Sequence, residues 1–324
     1  MPLLEIRDLT LDFESGGNSA RTLDGVSLKV DEGETVCLVG ESGSGKTVTA
    51  MSVARLLPSP PAQYRQGEIM LAGKDVFGMT KRELRSVRGG VVNYIFQEPG
   101  AALNPVFRVG QQIMESLRLH QLDHATREEV IRLLGLVGIA APEVRANSYP
   151  HQMSGGMQQR VMIAMAIASR PKLLIADEPT TALDVTIQAQ ILELLRDLKN
   201  QLGMAILLIT HNLGVVRELG DRVYVMYAGQ VVEEAPVEQL LARPAHPYSR
   251  ALLKSVPQIG AGHERLLSIP GTVPQPGAWP SGCRFHPRCP QRQEDCHLAV
   301  PPLIPVTAGQ NARCPYWQLT PPVD

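Results

Sequence analysis

Eight residues, Gly40-Glu41-Ser42-Gly43-Ser44-Gly45-Lys46-Thr47, have the types and the spacing to hold a phosphate chain. They fit the pattern G-x-x-x-x-G-K-[ST]. The three glycines let the backbone bend around an anion and turn its N–H groups inward. The helix expected over Thr47–Leu57 would aim its positive end at the same point. Lys46 can then reach the β- and γ-phosphates, and the Thr47 hydroxyl can hold Mg²⁺. A Gly/Ser-rich surface turn would use the same residue types, so the neighbouring elements must decide.

A second chemical feature is acidic. Leu173-Leu174-Ile175-Ala176 reads as a buried strand running into Asp177-Glu178-Pro179. Ligands of α/β sheets bind at the carboxyl ends of strands. There Asp177 is placed for Mg²⁺ and Glu178 for orienting or deprotonating an attacking water. A third feature is Met153-Ser154-Gly155-Gly156-Met157-Gln158-Gln159-Arg160, which opens a helix expected over Gln158–Ser169. Ser154 suits a helix N-cap, and the glycines leave N–H groups bare, which makes a second possible anion site. Caps of this kind are also common as plain structure. His211 follows an apolar strand, Ala205–Thr210, where a single histidine is more often structural than catalytic. Phe13 can stack on a purine or serve as a strand-end core aromatic.

The elements that would carry these residues are legible as patterns. Residues 3–13 alternate roughly between apolar and polar side chains, and Val26-Ser27-Leu28-Lys29-Val30 alternates again, with a Gly/Ser/Asn loop at Ser15–Ser19 between them. Gly67–Leu71 and Val91–Phe96 read as strands, the second ending at Gln97. From Val109 to Val137 apolar residues recur at helical spacing, an insertion between two strands. A long helix is expected over Val185–Leu202, and a hairpin over Val223–Tyr227 and Gln230–Glu234 through Ala228-Gly229.

With 324 residues there is room for one large domain and a smaller one. The 31 basic and 32 acidic residues nearly cancel, which argues against nucleic-acid binding driven by overall charge. The N-terminal residues lack the basic-then-apolar pattern of a signal peptide. Val161–Ala168, among the longest apolar stretches, falls far short of the roughly 18 residues of a membrane span. The expected location is therefore cytoplasmic, with membrane contact through partners. Of 26 prolines, 16 lie in residues 236–324, and four of five cysteines lie between 283 and 314. Residues 1–235 read as one unit and 236–324 as an appended, loop-rich extension.

In this order the motifs resemble the ATP-binding cassette ATPases. The resemblance covers residues 3–235: the phosphate loop Gly40–Thr47, a loop glutamine Gln97, the signature Ser154-Gly155-Gly156-Met157-Gln158, the acidic pair Asp177-Glu178, the Ala182-Leu183-Asp184 loop and the switch histidine His211. It implies an α/β phosphate-loop fold with a RecA-like core, an antiparallel β subdomain and a helical subdomain at about residues 100–170. It also implies head-to-tail pairing of two such domains, with Ser154-Gly155-Gly156 of each closing on the γ-phosphate held by the other. Gln97 would sense Mg²⁺ and water and pass closure to a transmembrane partner. His211 would contact the γ-phosphate, Asp184 would cross the dimer interface, and Phe13 would stack on adenine.

The finer resemblance is to the ATPase subunits of oligopeptide and dipeptide importers of prokaryotes. It rests on Phe96-Gln97-Glu98-Pro99 running into Ala102-Leu103-Asn104-Pro105, on His246-Pro247-Tyr248 with Leu252-Leu253, and on the cysteine-rich tail. It implies two permease subunits, a second and paralogous ATPase subunit in a heterodimer, an extracytoplasmic peptide-binding protein, and a peripheral place on the cytoplasmic face of the cell membrane. Importers of nickel, glutathione or antimicrobial peptides share some of these features. A soluble cassette ATPase of DNA or ribosomes would more usually show two fused cassettes, a long coiled coil or C-x-x-C zinc spacing, none of which occurs. An exporter is disfavoured by the extension.

Cys283, Cys289, Cys296 and Cys314 stand in a segment too short and proline-rich to bury much core. A reducing cytoplasm disfavours disulfides, leaving a metal centre or free thiols. Zinc usually brings close cysteine pairs, though His286 and His297 could complete a mixed site. Cys289-Pro290 and Cys314-Pro315 repeat the Cys-Pro step of bacterial ferredoxins, and the importer resemblance favours a structural [4Fe–4S] cluster, with zinc as runner-up. Cys37, in the strand before the phosphate loop, reads as a small core residue.

Overall fold

The computed structural model describes residues 2–181, 183–255 and 269–321. The chain divides into two compact units: Met1–Leu3, Asp31–Glu34 and Gly78–Leu207 in the first, and Leu4–Val30, Thr35–Phe77 and Leu208–Asp324 in the second.

The second unit opens with β1 (Leu4–Ser15) and β2 (Asn18–Val30), an antiparallel hairpin. Its turn is Gly16-Gly17, both at positive φ, so the expected five-residue loop shrinks to two residues as the strands run into it. Leu4 and Ile6, then Leu9 and Leu11, are buried, and a register shift between Ile6 and Leu9 switches the parity. That bulge is why the alternation in the sequence is only approximate. Next come β3 (Thr35–Val39), entirely buried, and α1 (Lys46–Ser52). The helix is shorter than the sequence suggested, because the backbone turns into the left-handed region at Arg55. β4 (Ala62–Leu71) and β5 (Lys74–Asp75) complete an antiparallel sheet in the order β2-β1-β4-β5.

The first unit carries α2 (Lys81–Gly90), β6 (Val92–Ile95), α3 (Pro99–Ala102) and then α4 (Val109–His120), α5 (Arg127–Leu136) and α6 (Pro142–Arg145). It continues through α7 (Gly155–Ile167), β7 (Leu173–Asp177) and α8 (Val185–Leu202). The helical spacing over residues 109–137 thus forms two helices, whose buried residues include Ile113, Leu117, Leu133 and Leu134. β6 and β7 pair in parallel, Tyr94 opposite Ile175.

Through β8 (Ala205–Thr210), all six residues buried, the chain returns to the second unit. There it forms α9 (Leu213–Leu219), β9 (Arg222–Tyr227) and β10 (Gln230–Pro236), then α10 (Val237–Ala242) and α11 (Pro247–Lys254). The tail adds β11 (Ile304–Thr307) and β12 (Gln310–Ala312). β3 runs parallel to β9, and β9, β10, β12 and β11 continue antiparallel. The extension is therefore stitched to the sheet of its unit rather than hung from it. Glu233 of β10, fully buried, accepts N–H bonds from Ala245 at 2.7 Å, His246 at 2.8 Å and the Gln310 amide at 2.8 Å. A buried carboxylate is tolerable only with such a donor set. Phe285 packs on Tyr227 and Tyr248, with ring centroids 5.3 Å away in each case.

Candidate functional site

The phosphate loop lies in the second unit, between buried β3 and α1. Gly40, Gly43 and Gly45 all have positive φ. At Gly40 a Cβ would stand 2.2 Å from the Met226 carbonyl oxygen, and at Gly45 one would stand 2.8 Å from Leu23 Cδ2. Only glycine fits those two places. Ser42 and Gly43 are exposed at the rim, and Ser44 is buried, its carbonyl accepting the Gly229 N–H at 2.9 Å. Lys46 is buried, and its ammonium donates to the carbonyls of Gly40 at 2.8 Å and Glu41 at 3.0 Å. The charge thus lies across the loop it would share with a phosphate. Thr47 is exposed in the first turn of α1. Phe13, half-buried, stands opposite Ala20 of β2 and Ala62 of β4. His211 is exposed at the end of β8.

The acidic strand end lies in the first unit. Asp177 closes β7, and Glu178 follows with φ +47, a strained conformation for a residue with a side chain. Its carboxylate accepts from Gln97 Nε2 at 2.9 Å and from the Thr181 hydroxyl at 2.8 Å. The loop glutamine and the acidic pair, 81 residues apart, therefore meet. Ser154 is the N-cap of α7, its Oγ accepting the Met157 N–H at 3.4 Å. A Cβ at Gly156 would stand 2.9 Å from Ile187 Cγ2, so this glycine lets α8 approach. Gly155 has Leu183 as its near neighbour. Asp184 caps α8, accepting the Ile187 N–H at 2.9 Å. Ala182 lies outside the described residues.

Thr47 in the second unit, and Gln97 and Asp177 in the first, carry oxygen atoms of the kind that Mg²⁺ takes. The tail cysteines differ. All five cysteines are free thiols, Cys37 fully buried in β3 as expected. Cys283, Cys289, Cys296 and Cys314 line one cavity of about 270 Å³ with His246 and Tyr316. Yet among the described residues no group of three or more His, Cys, Asp or Glu side chains could hold a metal ion. The expected [4Fe–4S] or zinc ligand set is thus not seen assembled among the described residues. Burial raises the thiols of Cys283, Cys289 and Cys314, Cys289 to about 11 and Cys314 to about 12.

Sequence reasoning passed over Arg288, Glu41 and Tyr248 as a set. Arg288 forms a two-pronged ion pair with Glu41, at 2.8 and 3.0 Å, and Tyr248 accepts the Glu41 N–H at 2.8 Å. Nothing in their spacing signals it, since they stand 207 and 247 residues from Glu41.

A glycine-bent loop with a buried lysine, and a strand-end carboxylate held by a glutamine, define a phosphate-loop ATPase of the ATP-binding cassette type. A family model described as ABC transporter matches residues 23–181, and one described as oligopeptide/dipeptide transporter, C-terminal region, matches residues 232–296. The chain belongs to the ATP-binding proteins of oligopeptide/dipeptide ABC transporters. It is 47% identical over 322 residues to the oligopeptide transport ATP-binding protein OppD of Bacillus subtilis, covering 98% of this chain and 89% of that one. It is 50% identical over 315 residues to a probable peptide ABC transporter ATP-binding protein, y4tR, of Sinorhizobium fredii, covering 96% and 94%. Among solved structures, the cassette MJ0796, a dimer in a post-hydrolysis state bound to ADP and Pi, is similar with TM-score 0.64 and 28% identity over 72% of this chain and 98% of that one.

Proposed function

We propose that this chain is the ATP-hydrolysing subunit that powers import of di- or oligopeptides, closing with a second ATPase subunit and driving two permease subunits. The observation that carries the catalytic part is the bond from Gln97 to Glu178 at the end of β7. Glu178 orients the attacking water and takes its proton, while Gln97 holds that carboxylate until nucleotide arrives. Phosphates bind to the N–H groups of Gly40–Thr47 and to Lys46. Thr47, Gln97 and Asp177 hold Mg²⁺, which would neutralise charge developing on the phosphates. Ser154, Gly155 and Gly156 serve the nucleotide of the partner ATPase, with Asp184 at that interface, His211 reads the γ-phosphate, and Phe13 stacks on adenine.

Residues 1–235 form the cassette and 236–324 the extension, with the helical subdomain near 100–170. Among the described residues no helix is long and apolar enough to cross a membrane. In this reading the protein works at the cytoplasmic face of the inner membrane, fed by an extracytoplasmic peptide-binding protein. What supports peptide as the cargo is the match of residues 232–296 and the printed names of the relatives. A [4Fe–4S] cluster in the cysteine cavity belongs to the same reading, supported by four thiols sharing one cavity.

The test is co-expression with the neighbouring permease and binding-protein genes, followed by reconstitution in lipid vesicles. ATP hydrolysis and uptake should be stimulated by peptides loaded on the binding protein. Stimulation by nickel or glutathione instead would replace the cargo. Absence of any co-purifying membrane subunit would remove the transporter reading.

A further inference from the structure

Glu41 is the first variable residue of the phosphate loop, yet it is held at more points than its neighbours. Its N–H donates to Tyr248 Oη at 2.8 Å. Its carbonyl accepts from Lys46 at 3.0 Å and from the Ser44 N–H at 3.2 Å. Its two carboxylate oxygens accept the two terminal nitrogens of Arg288, at 2.8 and 3.0 Å. Tyr248 and Arg288 both come from the extension, and all three residues belong to the second unit.

The holding groups are themselves fixed. Tyr248 is fully buried, its ring 4.6 Å from that of Tyr227. The Arg288 side chain is 6% exposed and that of Glu41 is 29% exposed. The remaining Arg288 N–H groups donate to the carbonyls of Ile269, Pro270 and Gly271 and to Tyr227 Oη. A planar guanidinium with this many acceptors has one position, which makes it a fixed post rather than a mobile surface charge.

We propose that Arg288 and Tyr248 are positioning residues for nucleotide, through which the cysteine-rich extension sets the affinity of the phosphate loop. The proposal rests on the reading of Gly40–Thr47 as the loop that binds ATP. Two physical effects act together. The clamp holds residue 41 in place, so that less ordering is left for the moment of binding. It also neutralises a carboxylate that belongs to a loop receiving a triphosphate; an unpaired Glu41 would repel that ligand. Arg288 directly precedes Cys289, a wall of the cysteine cavity, so the cavity and the nucleotide loop share one short turn, His286–Arg288.

The test is a mutant cycle on the full-length chain, read by Mg-ATP binding and by steady-state hydrolysis in the assembled complex. Arg288→Ala should raise KM for ATP by about tenfold, the scale of one charge-assisted pair, with kcat within about twofold of wild type. Arg288→Lys, which keeps charge but not the two-pronged geometry, should lose less. Glu41→Gln alone should be mild. Added to Arg288→Ala it should restore most of the lost affinity, because it removes the exposed repulsion. Arg292→Ala, an exposed cation of the same extension, should bind ATP as wild type does. If Arg288→Ala does not fold, Arg288→Lys with Glu41→Gln closes the same cycle. Unchanged KM in both Arg288 variants, or a loss that Glu41→Gln does not relieve, would overturn the proposal. Failure of the wild-type chain to bind Mg-ATP would instead sink the reading of the loop itself.

Discussion

Gln97 Nε2 lies 2.9 Å from Glu178 Oε2, which joins the segment that leaves β6 to the segment that leaves β7. Because β6 and β7 are paired in parallel, both chain ends emerge on one edge of the first unit. Glu178 is further held by Thr181 at 2.8 Å. Its carboxylate is thus held by two donors, as the proposed role of base requires.

Glu178→Gln should keep nucleotide binding and lose turnover by on the order of 10²–10⁴, since an amide takes no proton. Hydrolysis should be measured in a complex whose other ATPase subunit carries the equivalent change, so that an intact second site does not mask the loss. A normal rate in that pair would show that Glu178 is not the base.

In the proposed function the signature tract serves closure rather than binding. Ser154→Ala removes the cap hydroxyl of α7, and ATP binding to the isolated chain should stay within about twofold of wild type, while ATP-driven pairing and transport fall. Gly156→Asp is the blunter variant, because its Cβ meets Ile187 Cγ2 at 2.9 Å and disturbs the approach of α8 as well. Full pairing by Ser154→Ala, followed by light scattering with ATP, would exclude a role for the tract in the partner's site.

The buried clasp at Glu233 should be worth measuring by denaturant unfolding. Glu233→Ala leaves three N–H donors without an acceptor and should cost on the order of 3 kcal/mol. The loss should appear in an early transition of the extension. A variant as stable as wild type would mean that β12 and α11 hold without the clasp.

His246 gives a pH dependence. It is buried, its Nδ1 accepts the Tyr248 N–H at 3.1 Å, and burial pulls its pKa from 6.5 down to about 3. A folded value below the unfolded one means stability is fully present above about pH 6.5 and falls by up to about 1.4 kcal/mol per pH unit below it. Melting temperatures of wild type and His246→Asn should therefore converge as the pH drops from 7 toward 5. Parallel curves would show that the ring does not remain neutral in the fold.

The cysteine cavity can be tested by its contents. Protein purified without oxygen should carry about four iron and four sulfide per chain, and serine at Cys283, Cys289, Cys296 or Cys314 should abolish both. Cys37→Ser should leave them unchanged. Stoichiometric zinc without iron would replace the cluster reading, and the absence of both metals would remove it.

What the sequence determined by itself was the chemistry of contiguous stretches. The phosphate loop, the acidic strand end, the helix Val185–Leu202 and the strand Ala205–Thr210 each carry their signal within a few neighbouring residues. Periodicity, glycine placement and capping act over one or two turns of chain, so they can be read in a line. Elements set by distant packing were not legible in the same way. The end of α1 at Ser52 depends on the left-handed backbone at Arg55, which no local pattern announces.

The tertiary structure alone decided which groups meet. Gln97 finds Glu178 across 81 residues, and Arg288 finds Glu41 across 247. The motif His246-Pro247-Tyr248 marked the extension in the sequence, but only the fold turns Tyr248 onto the phosphate loop and buries His246 beside the clasp of Glu233. The spacing of the four tail cysteines did not say which of them meet, whereas the fold lines one cavity with all four. Residue types fix what chemistry is available, and long-range packing fixes which partner and which charge state each group receives.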